Sequence, residues 1–405
     1  MTLETAPYSL VRKHSRRSVA EVLLRGTPCS RAELARITGL SKQTMSEVMA
    51  ELEESGLVVA SGSIKGATGR SAVSYRIARN AAYSMGVDLG GTKISGALAD
   101  LAGHVVAELT EPTDMRGGLH IVDQIARLSK ELCTRAKVNK KNIRSVVVGS
   151  PGVVDPVTGA ISLVPNIKDL SSFNVAAALS NKLDTRVTIE NDVNLAMLGE
   201  TWQGCAQGCS NAAFLAIGTG VGLGLICNGK LVRGATGAAG EIAYLPIGSD
   251  VASARALDVG SFELEAGSAG ILSFYNRLSK NSAGTVREVF DRLAAGDECA
   301  TQTLDSVAIT IARAVVSVAA ITDPQLIILG GSIGVRSELA DRVRLCLGQI
   351  YARPLTLAIS TLGSRAGLVG ALCLAVNWLH NDLFNVPNLP AEIALTNPQQ
   401  RKAAE

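Results

Sequence analysis

Apolar residues recur at helical spacing over Ser18–Arg25 (SVAEVLLR), and Gly26 supplies a natural stop. A second helix is expected over RAELARITG, with Ser30 at its N-cap and Glu33 three residues on to complete a capping box. Gly39 breaks the chain, and Ser41 caps a third helix, KQTMSEVMAELEESG. Two short helices around Thr-Gly-Leu-Ser predict a helix-turn-helix, with Ala35, Ile37, Leu40 and Val48 packing inside it. After Gly56 the segments LVVASG and SAVSYRIA predict two strands around the basic, glycine-rich loop SIKGATGR, which together form a wing.

From Tyr83 the pattern changes to buried strands. YSMGVDLG and KISGALAD predict a hairpin across a Gly-Gly-Thr turn. A second strand–turn–strand unit follows at NAAFLAIGTGVGLGLICNGKLV, and a third apolar strand, QLIILGGSIG, ends in another Gly-Gly turn. Helices are expected at 119–137 and 298–321, and LVGALCLAVNWL near the C-terminus is a further helical run. The repetition predicts a duplicated α/β fold with a cleft between two lobes. Glycine turns expose backbone N–H groups to an anion. Asp88, Gly90, Gly91, Thr92 and Lys93 in the first unit, with Gly218, Thr219, Gly220 and Gly331 in the second, are therefore the candidates for holding phosphates. The spacing is not that of a P-loop, because no GxxxxGK[ST] occurs.

Charge divides the chain in two. Residues 1–80 carry 12 Lys/Arg and 7 Asp/Glu, a net of +5, and the remaining 27 basic and 29 acidic residues give −2. A basic module on a nearly neutral body suits nucleic-acid binding attached to something else. Arg31, Ser41, Lys42, Gln43, Thr44 and Ser46 are the candidates for major-groove contacts, with Lys65 and Arg70 of the wing reaching a phosphate or the minor groove. Eight scattered cysteines, a polar basic start and no uninterrupted apolar run near the roughly 18 residues that span a bilayer point to a cytoplasmic protein with reduced thiols.

LARITGLSKQTMSEVMAELEESGLV resembles the core of winged helix-turn-helix regulators of the sugar-responsive type. Further on, DLGGTK, SPGVVDPVTG, VPN, ENDVNLAMLGE, GTGVGLG and GAAGEI, in that order, resemble the ROK family of repressors and sugar kinases, over about residues 83–380. The resemblance implies an actin/hexokinase-like fold with a hexose or amino-sugar between the lobes and, in kinase members, ATP beside it. The implied division is a winged helix over 1–80, a first lobe over 81–190 with helix 366–380 packed back on it, a second lobe over 191–365, and a peripheral tail from 381. It also makes Asp192 the kinase base and Asn191 a sugar ligand, and suggests Gly152, Asn166 and Glu241 as further sugar contacts. On spacing alone a helix-capping carboxylate is the lesser alternative for Asp192.

The chain departs from the family at one place. Where the family has a zinc-ligating, sugar-contacting His, this sequence has Tyr244, and the following GSDVASARALDVGSFELEAGSAG has no cysteine. No tetrahedral zinc set remains, so no metal is expected. Tyr244 could offer its hydroxyl to a sugar or plug the pocket. Glu265 is assigned to the acidic position that closes this stretch in the family, with Glu263 the other candidate.

Two readings follow. The first is a sugar-responsive transcription regulator, a repressor that binds inverted-repeat operator DNA as a homodimer or tetramer, with no cofactor. The second is an ATP-dependent hexose or amino-sugar kinase using magnesium, or a protein with both functions.

Overall fold

The computed structural model describes residues 6–65, 71–162, 167–248 and 251–384. Arg70 and Asn166 lie outside them, as does the side chain of Lys65. The chain divides into two compact units, one of residues 1–148, 167–189 and 371–405, the other of 149–166 and 190–370.

The first unit opens with three helices: α1 (Ala6–Leu24), α2 (Arg31–Thr38) and α3 (Lys42–Glu54). Their boundaries follow the local chemistry. Ser30 Oγ accepts the Glu33 N–H at 3.3 Å, and Ser41 Oγ accepts the Thr44 N–H at 3.1 Å. Gly39 closes α2 at φ 73°, a left-handed conformation that glycine adopts without a Cβ penalty. The wing strands Val58–Lys65 and Ser71–Ile77 pair antiparallel, and Cys29–Ser30 adds a third strand. Leu34, Met45, Val48, Met49 and Leu52 fill the interior. Ile37 does not: it is 45% exposed, one turn on from Leu34 and at the C-terminal end of α2, where the helix buries Leu34 alone.

This small core does not end at residue 80. Ala82 and Leu101 join it, as do Leu379 and Phe384 from helix Ala366–Leu383 and the residue after it. His380 Nε2 hydrogen-bonds the Leu101 carbonyl at 2.7 Å, and Arg16 Nη2 donates to the Leu383 carbonyl at 3.1 Å. Phe384 is thus part of this core rather than of a peripheral tail, and Leu383 packs against it.

Two five-stranded sheets form the rest. In the first the spatial order is Val187–Asn191, Ile143–Ser150, Tyr83–Leu89, Lys93–Asp100, Val105–Pro112. In the second it is Leu357–Ile359, Leu326–Gly330, Ala212–Ile217, Val221–Cys227, Lys230–Leu231. The chain runs through both in the same sequence: a central strand, two antiparallel neighbours toward one edge, then two strands added at the other. That is the expected duplication, seen as topology.

Each sheet is covered by a helix with a matching apolar stripe. Gly118–Ala136 buries Ile121, Ile125, Leu128 and Leu132, and Gly96 leaves room for Leu128 where a Cβ would fall 2.6 Å away. Glu298–Thr322 buries Leu304, Ala308, Ile311 and Val315 against Leu215, Ile217, Ile327 and Leu329. The latter helix is also long and apolar enough to cross a membrane by length and composition, yet half of its most apolar stretch is buried inside the protein. All eight cysteines are free thiols.

Candidate functional site

Strand Val187–Asn191 runs directly into helix Asp192–Gln203, and the junction explains what each motif residue does. Asn191 is the N-cap. Its Oδ1 accepts the N–H groups of Val193 and Asn194, both at 2.9 Å, and its Nδ2 donates to the Gly152 carbonyl at 3.0 Å. An amide has two acceptor lone pairs and two donor protons, so one proton is left for a ligand. Because Asn191 caps the helix, Asp192 is not needed for that task. It opens the helix half-buried, with Oδ1 accepting the Val193 N–H at 2.8 Å.

Beneath this junction lies Glu190, which sequence reading passed over. It is 5% exposed, its Oε1 accepts the Asn191 N–H at 3.0 Å and Asn194 Nδ2 at 3.1 Å, and its Oε2 accepts Arg233 Nε at 2.6 Å. Arg233 stands 43 positions away, so only the fold could reveal the pair.

The four glycines of GTGVGLG divide into two jobs. Gly218 and Gly220 form the turn, closed by a Gly218 N–H to Gly220 carbonyl bond of 2.9 Å. Gly222 and Gly224 lie in strand Val221–Cys227, where a Cβ would press on Val193. They let helix Asp192–Gln203 approach that strand. Gly331, at φ 76°, crosses directly over the Ile217 carbonyl. Thr219 is exposed at the tip of the turn, and its carbonyl accepts Ser268 Oγ at 3.4 Å.

Glu263, on helix Ser261–Ala266, stands against this turn: its Oε2 accepts the Val221 N–H at 3.0 Å. It also neighbours Glu241. Burial first, and then the Glu263 charge, push the Glu241 carboxyl above the usual carboxylate range; burial raises Glu263 too, opposed by the Val221 N–H. Two positions along a helix amount to roughly half a turn or more. Glu265 accordingly lies elsewhere, against Gly248, and it is Glu263 that the structure brings to Glu241.

Tyr244 ends the short helical turn Ile242–Tyr244 and is 43% exposed. Its hydroxyl donates to the Asp258 carbonyl at 3.0 Å, and Ser261 Oγ donates to the Leu245 carbonyl at 2.7 Å. Hydrogen bonds thus organise the segment that follows Glu241. A tyrosine hydroxyl and a serine are not a zinc donor set, and the residues present do not fit that metal. Among the described residues, no three His, Cys, Asp or Glu side chains gather as metal ligands.

In the first unit, Gly90 donates its N–H to the Lys93 carbonyl at 3.0 Å, while Thr113 Oγ1 donates to the Gly90 carbonyl at 2.7 Å and braces the turn from behind. Gly91 is half-buried, and Thr92 and Lys93 are exposed. Burial pushes the Asp88 carboxyl up to about 6, with Lys93 pulling it back down.

On α3 the side chains of Lys42, Gln43 and Ser46 are exposed, as a groove-reading surface requires. Ser41 and Thr44 are occupied by the cap, their hydroxyls 2.9 Å apart. Arg31 is held within the head, paired with Glu53 Oε2 at 3.0 Å and lying over the Tyr75 ring.

Residues 84–377 match the ROK family model, and residues 17–65 match the MarR family model. The chain belongs to the ROK family. A xylose repressor from Bacillus spizizenii is 27% identical over 92% of this chain and 98% of its own length. A glucokinase from Halalkalibacterium halodurans is 30% identical, but over 71% of this chain and 93% of its own. Among solved structures, a ROK family transcriptional regulator described as a homolog of the E. coli MLC protein has a TM-score of 0.75 over 92% of this chain and 98% of its own, at 19% identity. A ROK family glucokinase from Streptomyces griseus, in complex with glucose and AMPPNP, has a TM-score of 0.60 over 72% of this chain and 99% of its own, at 26% identity. The architecture is therefore a MarR-like winged helix joined to a ROK domain of the actin/hexokinase-like fold.

Proposed function

We propose that this ROK protein is a sugar-responsive, DNA-binding transcriptional repressor. One observation carries the reading: the similarity to the xylose repressor runs through head and body alike, whereas that to the glucokinase stops at the body. Lys42, Gln43 and Ser46 read the major groove, and Lys65 and Arg70 touch the backbone or minor groove. A homodimer or tetramer places two heads on an inverted repeat. The sugar lies among Gly152, Asn166, Asn191, Asp192 and Glu241, with Glu263 rather than Glu265 as the second carboxylate. Sugar that binds one conformation better than the other shifts DNA affinity by linkage. The site of action is the cytoplasm.

Fluorescence anisotropy of the full chain on DNA upstream of its own gene, at fixed salt, tests this. The titration is repeated with D-xylose, D-glucose and N-acetyl-D-mannosamine. Saturable binding beyond that to random DNA, altered by one sugar, is expected. Binding no stronger than to random DNA, with or without sugar, would sink the proposal.

The glycine turns and Asp192 support a second reading, an ATP- and magnesium-dependent sugar kinase in which Asp192 takes the hydroxyl proton. Sugar-dependent ADP release that disappears in Asp192→Asn would establish it.

A further inference from the structure

Three loops that bear the proposed sugar ligands meet around one buried carboxylate. The loop at Gly152 is tied to Asn191 by the 3.0 Å amide bond. The junction Asn191–Asn194 rests on Glu190 Oε1 through a backbone N–H and the Asn194 amide. The loop that ends at Glu241 begins at Arg233, whose guanidinium holds Glu190 Oε2 at 2.6 Å.

That last loop has little freedom of its own. Arg233 closes it as a ring, its carbonyl accepting the Ala239 N–H at 3.1 Å. Gly237, at φ 86°, is seated against the Val154 carbonyl, and Gly240, at φ 95°, against that of Leu223. A displacement of Arg233 is therefore carried along a stiff ring to Glu241. The two oxygens of Glu190 thus divide their work: one sets the Asn191–Asp192 junction, the other sets the start of the Glu241 loop.

We infer that Arg233 and Glu190 are positioning residues that fix the spacing between Asn191–Asp192 and Glu241, and so set the affinity and selectivity of this protein for its sugar. The inference rests on the sugar-site reading above. Hydroxyl recognition depends on donors and acceptors placed to within a fraction of an ångström, so a loosened support costs affinity without touching the ligand itself. Arginine suits the role because its planar fork holds a carboxylate in a fixed orientation, which a lysine does less rigidly. The alternative role, a purely structural ion pair, predicts loss of stability without change in selectivity.

The test uses the full chain and isothermal titration calorimetry with D-xylose, D-glucose and N-acetyl-D-mannosamine. Operator anisotropy without sugar runs in parallel as a control for folding. Arg233→Ala and Glu190→Gln should each weaken binding of the preferred sugar by about 10- to 100-fold, the scale expected for misplacement of about 1 Å. The ratio of affinities among the sugars should shift, and DNA affinity without sugar should stay the same. Glu190→Gln retains an acceptor for the Asn191 N–H and guards against a variant that fails to fold. Arg233→Lys should restore part of the affinity.

Three outcomes overturn the inference. Wild-type binding of a sugar with equal affinity and selectivity in Arg233→Ala and Glu190→Gln leaves the sugar site standing and removes its positioning pair. Parallel loss of DNA binding and thermal stability in all variants, without rescue by Arg233→Lys, assigns the pair to the fold alone. Failure of the wild-type protein to bind any of the three sugars removes the sugar site itself.

Discussion

The two sheets share a strand order, and each carries a glycine turn between its central strand and the next, yet the turns are built differently. The turn after Leu89 presents Thr92 and Lys93 to solvent and is braced from behind by Thr113. The turn after Ile217 is enclosed at its base, with Thr219 exposed at the tip: Glu263 holds Val221, Ser268 holds Gly218, and Gly331 crosses the Ile217 carbonyl. One motif thus satisfies two requirements. In the second unit glycine is demanded by close packing whether or not an anion binds. In the first unit the turn holds two side chains, Thr92 and Lys93, out to solvent.

The sharpest way to break this comparison is to add one methyl group against the second turn and one within the first. Gly331→Ala places a Cβ against the Ile217 carbonyl in a left-handed backbone conformation. It should cost about 3 kcal/mol or more of stability in urea unfolding. Gly91 is not among the glycines with positive φ, and Gly91→Ala should stay within about 0.5 kcal/mol. Equal losses at the two positions would show that the turns are not built differently.

Asp88 gives the next largest effect. Its carboxyl, ordinarily near 3.8, is raised to about 6 by burial. Well below 3.8 it is protonated in both folded and unfolded chains and has no effect on the balance between them. As pH rises from 4 to 6 the unfolded chain gives up its proton first, so stability falls through that window and stays lower above it. Asp88→Asn should therefore stabilise the protein at pH 7 by on the order of 2 kcal/mol and leave it unchanged at about pH 3. No gain at pH 7 would place Asp88 in a solvated setting.

The head offers its own contrast. Lys42 is exposed at the start of α3, while Arg31 is paired with Glu53. Lys42→Ala should weaken operator binding by about 1 kcal/mol and lower its salt dependence, without altering melting temperature or sugar binding. Arg31→Ala should lower head stability by a similar amount, about 1 kcal/mol, because it frees Glu53 and uncovers Tyr75. If Arg31→Ala reduces the salt slope as Lys42→Ala does, Arg31 contacts phosphate directly.

Much of this was legible in the chain because it is local. Ser30, Gly39 and Ser41 mark helix ends through bonds spanning three or four residues. The duplicated sheet was legible because buried strands with glycine turns leave the same pattern twice. What escaped was non-local or a matter of facing. Ile37 looked like a core residue by spacing, but a helix as short as Arg31–Thr38 buries only one narrow side. Arg233 and Glu190 carry no mark of their pairing across 43 positions. Glu263 and Glu265 are alternatives in sequence and opposites in space.

The smallest effect bears on that last pair, and it sharpens the account of the enclosed turn. Glu263→Gln keeps an acceptor for the Val221 N–H and removes the charge that helps raise Glu241. Stability above neutral pH should rise by less than about 1 kcal/mol, since a half-buried like-charge contact is relieved without disturbing the turn. The Glu241 carboxyl should titrate lower, which carbon-13 chemical shifts of the glutamate side chains would register. Glu265→Gln, by contrast, should leave the Glu241 titration where it is. A shift produced by Glu265→Gln and not by Glu263→Gln would mean that the other face of helix Ser261–Ala266 meets Glu241, and the enclosed turn would lose the carboxylate that sets it apart from its counterpart after Leu89.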